Sequence, residues 1–199
     1  MKFHEFKIII RFFFILILFI GGLIFFSCDD SLKFKNPQPH NKKNINEIPS
    51  QLIGWWASAD DSAVIQMKSR CVLTYEYQYR DDFNPKQLND VKIDTLFDLD
   101  SDVIRKYKGH YYFNKFDKDE MYWEVSKLII QQDSLIFNIV YLKDTAIDEL
   151  KKLLAIETVL KADDKLDYYI CDPSKKEWKK LNKGNYFSHP YFSFFKIQD

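Results

Sequence analysis

The sequence predicts an α+β fold, mainly antiparallel β-sheet, curved or closed into a partial barrel, with two short inserted helices. Three observations predict it. Apolar and polar residues mostly alternate through the body from Gln51 to Asp199, short polar links separate neighbouring runs, and only two segments shift to helical spacing.

Composition bounds the function classes. The chain has 199 residues, 29 Lys+Arg against 29 Asp+Glu, 46% hydrophobic and 17% aromatic residues. Disordered, collagen-like and disulfide-dense chains are excluded, since each needs a composition far from this one. Without a basic excess to neutralise phosphates, no charge-driven nucleic-acid binding is expected.

The first element is a leader. Lys2, Lys7 and Arg11 precede Phe12 to Phe26, an uncharged run broken by Gly21-Gly22 and closed by Ser27-Cys28-Asp29-Asp30. A cationic end followed by an apolar stretch is the order of an export signal, and the run is short of the about 20 residues a permanent span requires. Residues 1–27 are therefore expected to be a signal peptide. Residues 28–50 are then expected to be Cys28 and a flexible linker, because Asn36-Pro37-Gln38-Pro39-His40-Asn41 and its neighbours hold few apolar side chains. The folded domain is expected over 51–199, long enough to bury a core without staples.

Within that domain, Leu73, Tyr75, Tyr77 and Tyr79 alternate with polar residues, and so do Leu135, Phe137, Ile139 and Tyr141 in part. These runs are strands with one face toward the core. Further strands are expected at Ala63 to Lys68, His110 to Lys115, Tyr122 to Gln131, Ile156 to Lys161, Leu166 to Cys171 and Tyr191 to Ile197. Gln132-Asp133 and 162–165 close hairpins, which parallel strands never do. Asp144 to Leu154 places Ile147, Leu150 and Leu154 at helical spacing. A second helix begins at Ser174-Lys175-Lys176-Glu177, a hydroxyl cap with a reciprocal Glu, and ends at Gly184.

The residues around Cys28 resemble the lipobox of bacterial lipoproteins, in which a small residue precedes a Cys that is acylated and becomes the new N-terminus. Ser27 fits, while Phe25 and Phe26 follow the looser form similar to that of Bacteroidota-type lipoproteins. The resemblance implies lipidation at Cys28, a cell-envelope address at the outer membrane, and membrane partnership through the anchor. After cleavage 26 Lys+Arg and 28 Asp+Glu remain, so membrane contact must come from acyl chains rather than from charge. A second resemblance lies in Gly54-Trp55-Trp56. Gly54 and Trp56 resemble the G-x-W signature opening lipocalin-like barrels, where the Trp plugs the barrel floor and an Arg on the last strand stacks on it. Here Lys196 stands in the place of that Arg.

Candidate chemistry is sparse. Only His110 and His189 offer imidazoles within the domain, and no nucleophile elbow, zinc helix or phosphate loop is present. Asp98, Asp100 and Asp102 begin like a calcium loop, yet Val103 and Gly109 stand where such a loop needs Gly and Glu, so an acidic turn is expected. Cys71 and Cys171 either form a disulfide or remain free thiols; both readings stay open. Tyr75, Tyr77 and Tyr79, with the aromatic C-terminal stretch, are a candidate binding face for a protein or glycan. The expected function is thus a non-catalytic binding or scaffold domain without cofactor. A lipocalin-like carrier of an apolar small molecule is the alternative, and an enzyme using His110 or His189 the third reading.

Overall fold

The computed structural model describes residues 31–58, 63–76, 92–142, 144–162 and 166–197. Among them thirteen strands occur: β1 Leu32–Phe34, β2 Asn44–Ile45, β3 Gly54–Ser58, β4 Ala63–Met67, β5 Cys71–Glu76, β6 Ile93–Asp98, β7 Val103–Tyr107, β8 His110–Asp117, β9 Tyr122–Gln131, β10 Ser134–Val140, β11 Ile156–Leu160, β12 Leu166–Cys171 and β13 Phe187–Lys196. The helices are α1 Asp144–Leu153 and α2 Lys175–Lys183, and a 3-10 turn at Ser50–Leu52 leads into β3.

Hydrogen bonds order the strands β11-β12-β1-β9-β10-β13-β3-β4-β5-β6, with β8, then β7 and β2, built outward from the other edge of β9. Pairing is antiparallel except between β1 and β12. Phe97 of β6 and Phe113 of β8 are far apart along this order, yet their rings pack edge to face with centroids 5.0 Å apart. The sheet must therefore curl on itself. It forms a half-barrel, the shape that the right-handed twist of long antiparallel sheets favours.

Alternation along β8 sorts its aromatic side chains into two cores. Tyr111 and Phe113 join Trp56, Leu128, Leu135 and Phe137 on the concave side. Tyr112 points the other way, into a second core with Phe34, Leu150, Trp178 and Phe187. There the Tyr112 ring meets Trp178 at 5.2 Å and Phe187 at 5.8 Å. The helices lie over this second core because their apolar stripes, Ile147 and Leu150 on α1 and Trp178 and Leu181 on α2, have nowhere else to be buried. α2 starts as expected: Ser174 Oγ accepts from the Glu177 amide, and Glu177 accepts from the Ser174 amide.

The turns follow local chemistry. Lys108 and Gly109, with φ of 49° and 83°, form the tight β7–β8 link, a geometry in which glycine is the usual second residue. Pro190 is tolerated inside β13 because the ladder to β10 slips between Phe137 and Asn138 and again between Ile139 and Val140. β13 accordingly begins four residues earlier than the Tyr191 expected from alternation.

One boundary is corrected. The folded body begins at Ser31, so residues 31–50 are not a flexible linker and the domain does not start at residue 51. β1 fills the slot between β12 and β9 with Leu32, Lys33 and Phe34 all buried. The proline-rich stretch is held by polar contacts that composition does not reveal. Asn114 Oδ1 accepts from the Gln38 amide at 2.5 Å and its Nδ2 donates to the Gln38 carbonyl at 2.9 Å. Arg105 donates to the carbonyls of Pro37 and Pro39.

Candidate functional site

The concave face of the half-barrel carries an apolar cleft. Its floor is made by Phe97, Phe113, Phe137 and Phe194, and its walls by Leu96, Tyr191 and Phe192, around a hollow of about 140 Å³. Leu96, Tyr191, Phe192 and Phe194 also border a wider depression of about 410 Å³ that reaches Ile65 and Thr74. The inner hollow matches the roughly 150 Å³ of an apolar cavity that holds one benzene ring. With its neighbour it falls within the roughly 300–1,000 Å³ of small-molecule sites.

Each wall follows from the fold. β8 and β10 present Phe113 and Phe137 inward by period-two alternation, whereas a register shift of β6 against β5 brings the adjacent Leu96 and Phe97 both to the cleft. β13 supplies Phe194 to the floor and leaves Tyr191 and Phe192 51% and 40% exposed at the mouth, their rings 4.3 Å apart. The C-terminal aromatic stretch is thus divided, with Phe187 and Phe194 in the cores and Tyr191, Phe192 and Phe195 at the surface.

One side of the mouth is polar, formed by Lys115, Glu124 and Ser126. Glu124 is fixed there from behind. Lys33 of β1, only 2% exposed, places its Nζ 2.9 Å from Glu124 Oε1 and 5.0 Å from the centre of the Tyr122 ring. Burial pushes the Tyr122 hydroxyl up to about 12. Sequence reasoning missed Lys33, Glu124 and the cleft, because β1 is three residues long and sits in a polar context.

The other candidates do not converge on the cleft. Tyr75 is buried, packed 5.1 Å from Trp55 with its hydroxyl donating to Gln66 Oε1, so it is not part of an exposed binding face. Tyr77, Tyr79 and Cys28 lie outside the described residues. His110 begins β8 and does not line the cleft; burial and the nearby Lys127 hold its imidazole below the usual histidine range. His189 also lies outside the cleft, stacked on Tyr141 at 4.3 Å.

Cys71 and Cys171 are both free thiols, which corrects the disulfide alternative. Cys71 opens β5 opposite Asp98, whereas Cys171 ends β12 opposite Phe34 and belongs to the second core. Burial raises the Cys171 thiol far above its ordinary value and leaves it inert.

The acidic turn is a structural device. Asp102 is buried and accepts from the amides of Asp98 and Phe116 at 2.8 and 2.9 Å, and Asp100 pairs with Arg70 at 2.5 Å. Among the described residues no group of three or more His, Cys, Asp or Glu side chains is arranged to hold a metal ion, and no helix is long and apolar enough to cross a membrane.

The G-x-W pair opens β3. Trp56 is buried at the base of the concave core, its Nε1 donating to the Leu52 carbonyl at 3.0 Å. Among the described residues, however, the strand order ends at β6 without returning to β7, so the barrel is half closed. Comparison with protein-family models, with curated proteins and with solved structures finds no match to this chain.

Proposed function

We propose that this chain is a cell-envelope lipoprotein, acylated at Cys28, whose half-barrel is a non-catalytic module that binds a small apolar molecule in the cleft between β6 and β13. The observation that carries the reading is the composition of that cleft: four phenylalanines form its floor and two exposed aromatics flank its mouth. A hollow of about 140 Å³ favours a single ring or a short branched chain over a long acyl tail. Chemistry by His110 or His189 finds no support, since neither imidazole borders the cleft. A lipocalin-like carrier, the alternative expected from Gly54 and Trp56, would need a closed barrel, whereas the described strands curl only into a half-barrel.

Isothermal titration calorimetry with benzene, a single-ring apolar probe, tests it. One saturable site is expected, weakened by Phe192→Ala at the mouth and abolished by Leu96→Trp, which fills the hollow. Binding that neither substitution alters would overturn the cleft as the site. A second reading, docking of a protein or glycan, is favoured by the exposure of Tyr191 and Phe192. It predicts that Leu96→Trp leaves binding of the partner unchanged.

A further inference from the structure

The charged residues of the cleft are gathered on one side of an otherwise aromatic and aliphatic hollow, and register sets out their places. Phe113 of β8 lies opposite Ser126 of β9, and two residues further along the same pair of strands Lys115 lies opposite Glu124; all four border the hollow. Side chains two residues apart on one strand share a face and stand about 7 Å apart. A ring seated on Phe113 therefore brings a short substituent toward Ser126 and Lys115.

The two opposite charges at this side are not equally available. Glu124 is engaged, since its carboxylate holds the ammonium of Lys33, 2.9 Å away and only 2% exposed. A buried ammonium stripped of that partner is costly, so a cationic ligand would have to displace Lys33 to use Glu124. Lys115 is exposed, and among the described residues it makes no hydrogen bond or ion pair. Its charge acts through space on Asp102, whose carboxylate is itself buried and turned to the amides of Asp98 and Phe116. With Glu124 balanced by Lys33, the charge left facing a ligand is positive.

We propose that the molecule bound in this cleft is a small aromatic carboxylate, its ring on Phe113 and Phe137 and its carboxylate accepting from Lys115 Nζ and Ser126 Oγ, an inference that rests on the cleft reading above. One ammonium and one hydroxyl suit a singly charged group with two oxygens. The arginine fork or helix N-terminus that a phosphate draws is not among the residues lining the hollow. Size agrees as well. About 140 Å³ takes one ring and leaves the carboxylate at the mouth, where Lys115 and water share it and full desolvation of the charge is avoided.

Calorimetric titration of the full chain with phenylacetate and with its neutral isostere phenylacetamide tests the proposal. The ratio of the two affinities is expected to fall about fivefold in Lys115→Met and in Lys115→Gln, the upper range of an exposed ion pair, and to be kept in Lys115→Arg. Lys118→Met, an exposed lysine that does not border the hollow, should leave the ratio unchanged. A ratio that Lys115→Met and Lys115→Gln do not move would overturn the recognition of an anion, and so would tighter binding of benzylamine than of phenylacetate; in both cases saturable binding of benzene keeps the cleft as the site. If neither benzene nor phenylacetate binds, the cleft reading and this inference fall together.

Discussion

Lys196 on the last strand faces Trp56 on β3 as a direct register partner, and its Nζ lies 5.8 Å from the centre of the indole ring. The cation therefore closes the base of the concave core over a ring that is itself hydrogen bonded to Leu52. Lys196→Ala is expected to lower unfolding stability by about 0.5–1 kcal/mol, the scale of an exposed cation–π contact, and Lys196→Arg to preserve it. Trp56→Ala should cost about 3–5 kcal/mol through the cavity it leaves. Urea unfolding of the three variants measures both, and an unchanged midpoint for Trp56→Ala would refute the assignment.

The pair between buried Lys33 and Glu124 is asymmetric, since Glu124 is 38% exposed and Lys33 is not. Removing the carboxylate leaves an ammonium in a poorly solvated site. Glu124→Ala should destabilise by about 2 kcal/mol, discounted for the exposure of the glutamate, whereas Lys33→Met should be nearly neutral. Chemical denaturation of both variants compares them. Equal losses would show that the charge on Lys33 is not what matters.

The cap of α2 offers a local check. Glu177 lies below the ordinary carboxylate range because its carboxylate is held first by the Ser174 side chain and then by the Ser174 amide. Ser174→Ala removes the reciprocal bond and should lower stability by about 1 kcal/mol. Thermal unfolding followed by circular dichroism reads the change, and a shift no larger than that of Lys175→Ala would count against the box.

His110 sets a small pH dependence. Its folded value lies below the unfolded 6.5, so between the two the unfolded chain binds more protons. Stability from this group should therefore fall as pH drops below 6.5 toward the folded value, and recover as pH rises. His110→Gln should flatten the profile in that window. A profile of unchanged slope in the variant would locate the titration elsewhere.

Much of the fold was legible locally. The β9–β10 hairpin runs Tyr122–Gln131 and Ser134–Val140 around Gln132-Asp133, and β12 runs Leu166–Cys171, because short runs rich in aromatic and branched apolar residues bounded by polar links admit few other structures. β6 and β7 were not legible, since Ile93–Asp98 and Val103–Tyr107 mix charged and apolar residues without a clean period. Tyr75 was misread as part of a surface. Alternation says that a side chain faces one side of a sheet, and not whether that side is covered.

By itself, then, the sequence determined the elements whose signals lie within a few neighbouring residues: the β9–β10 hairpin and the capping box of α2. Tertiary structure decided the rest. The seat of β1 between β12 and β9, the docking of Gln38 on Asn114, and the meeting of Phe97 with Phe113 all depend on which distant segments become neighbours. A hydrogen bond between residues 76 positions apart leaves no periodic trace in either segment, and a cleft exists only once the sheet has curled.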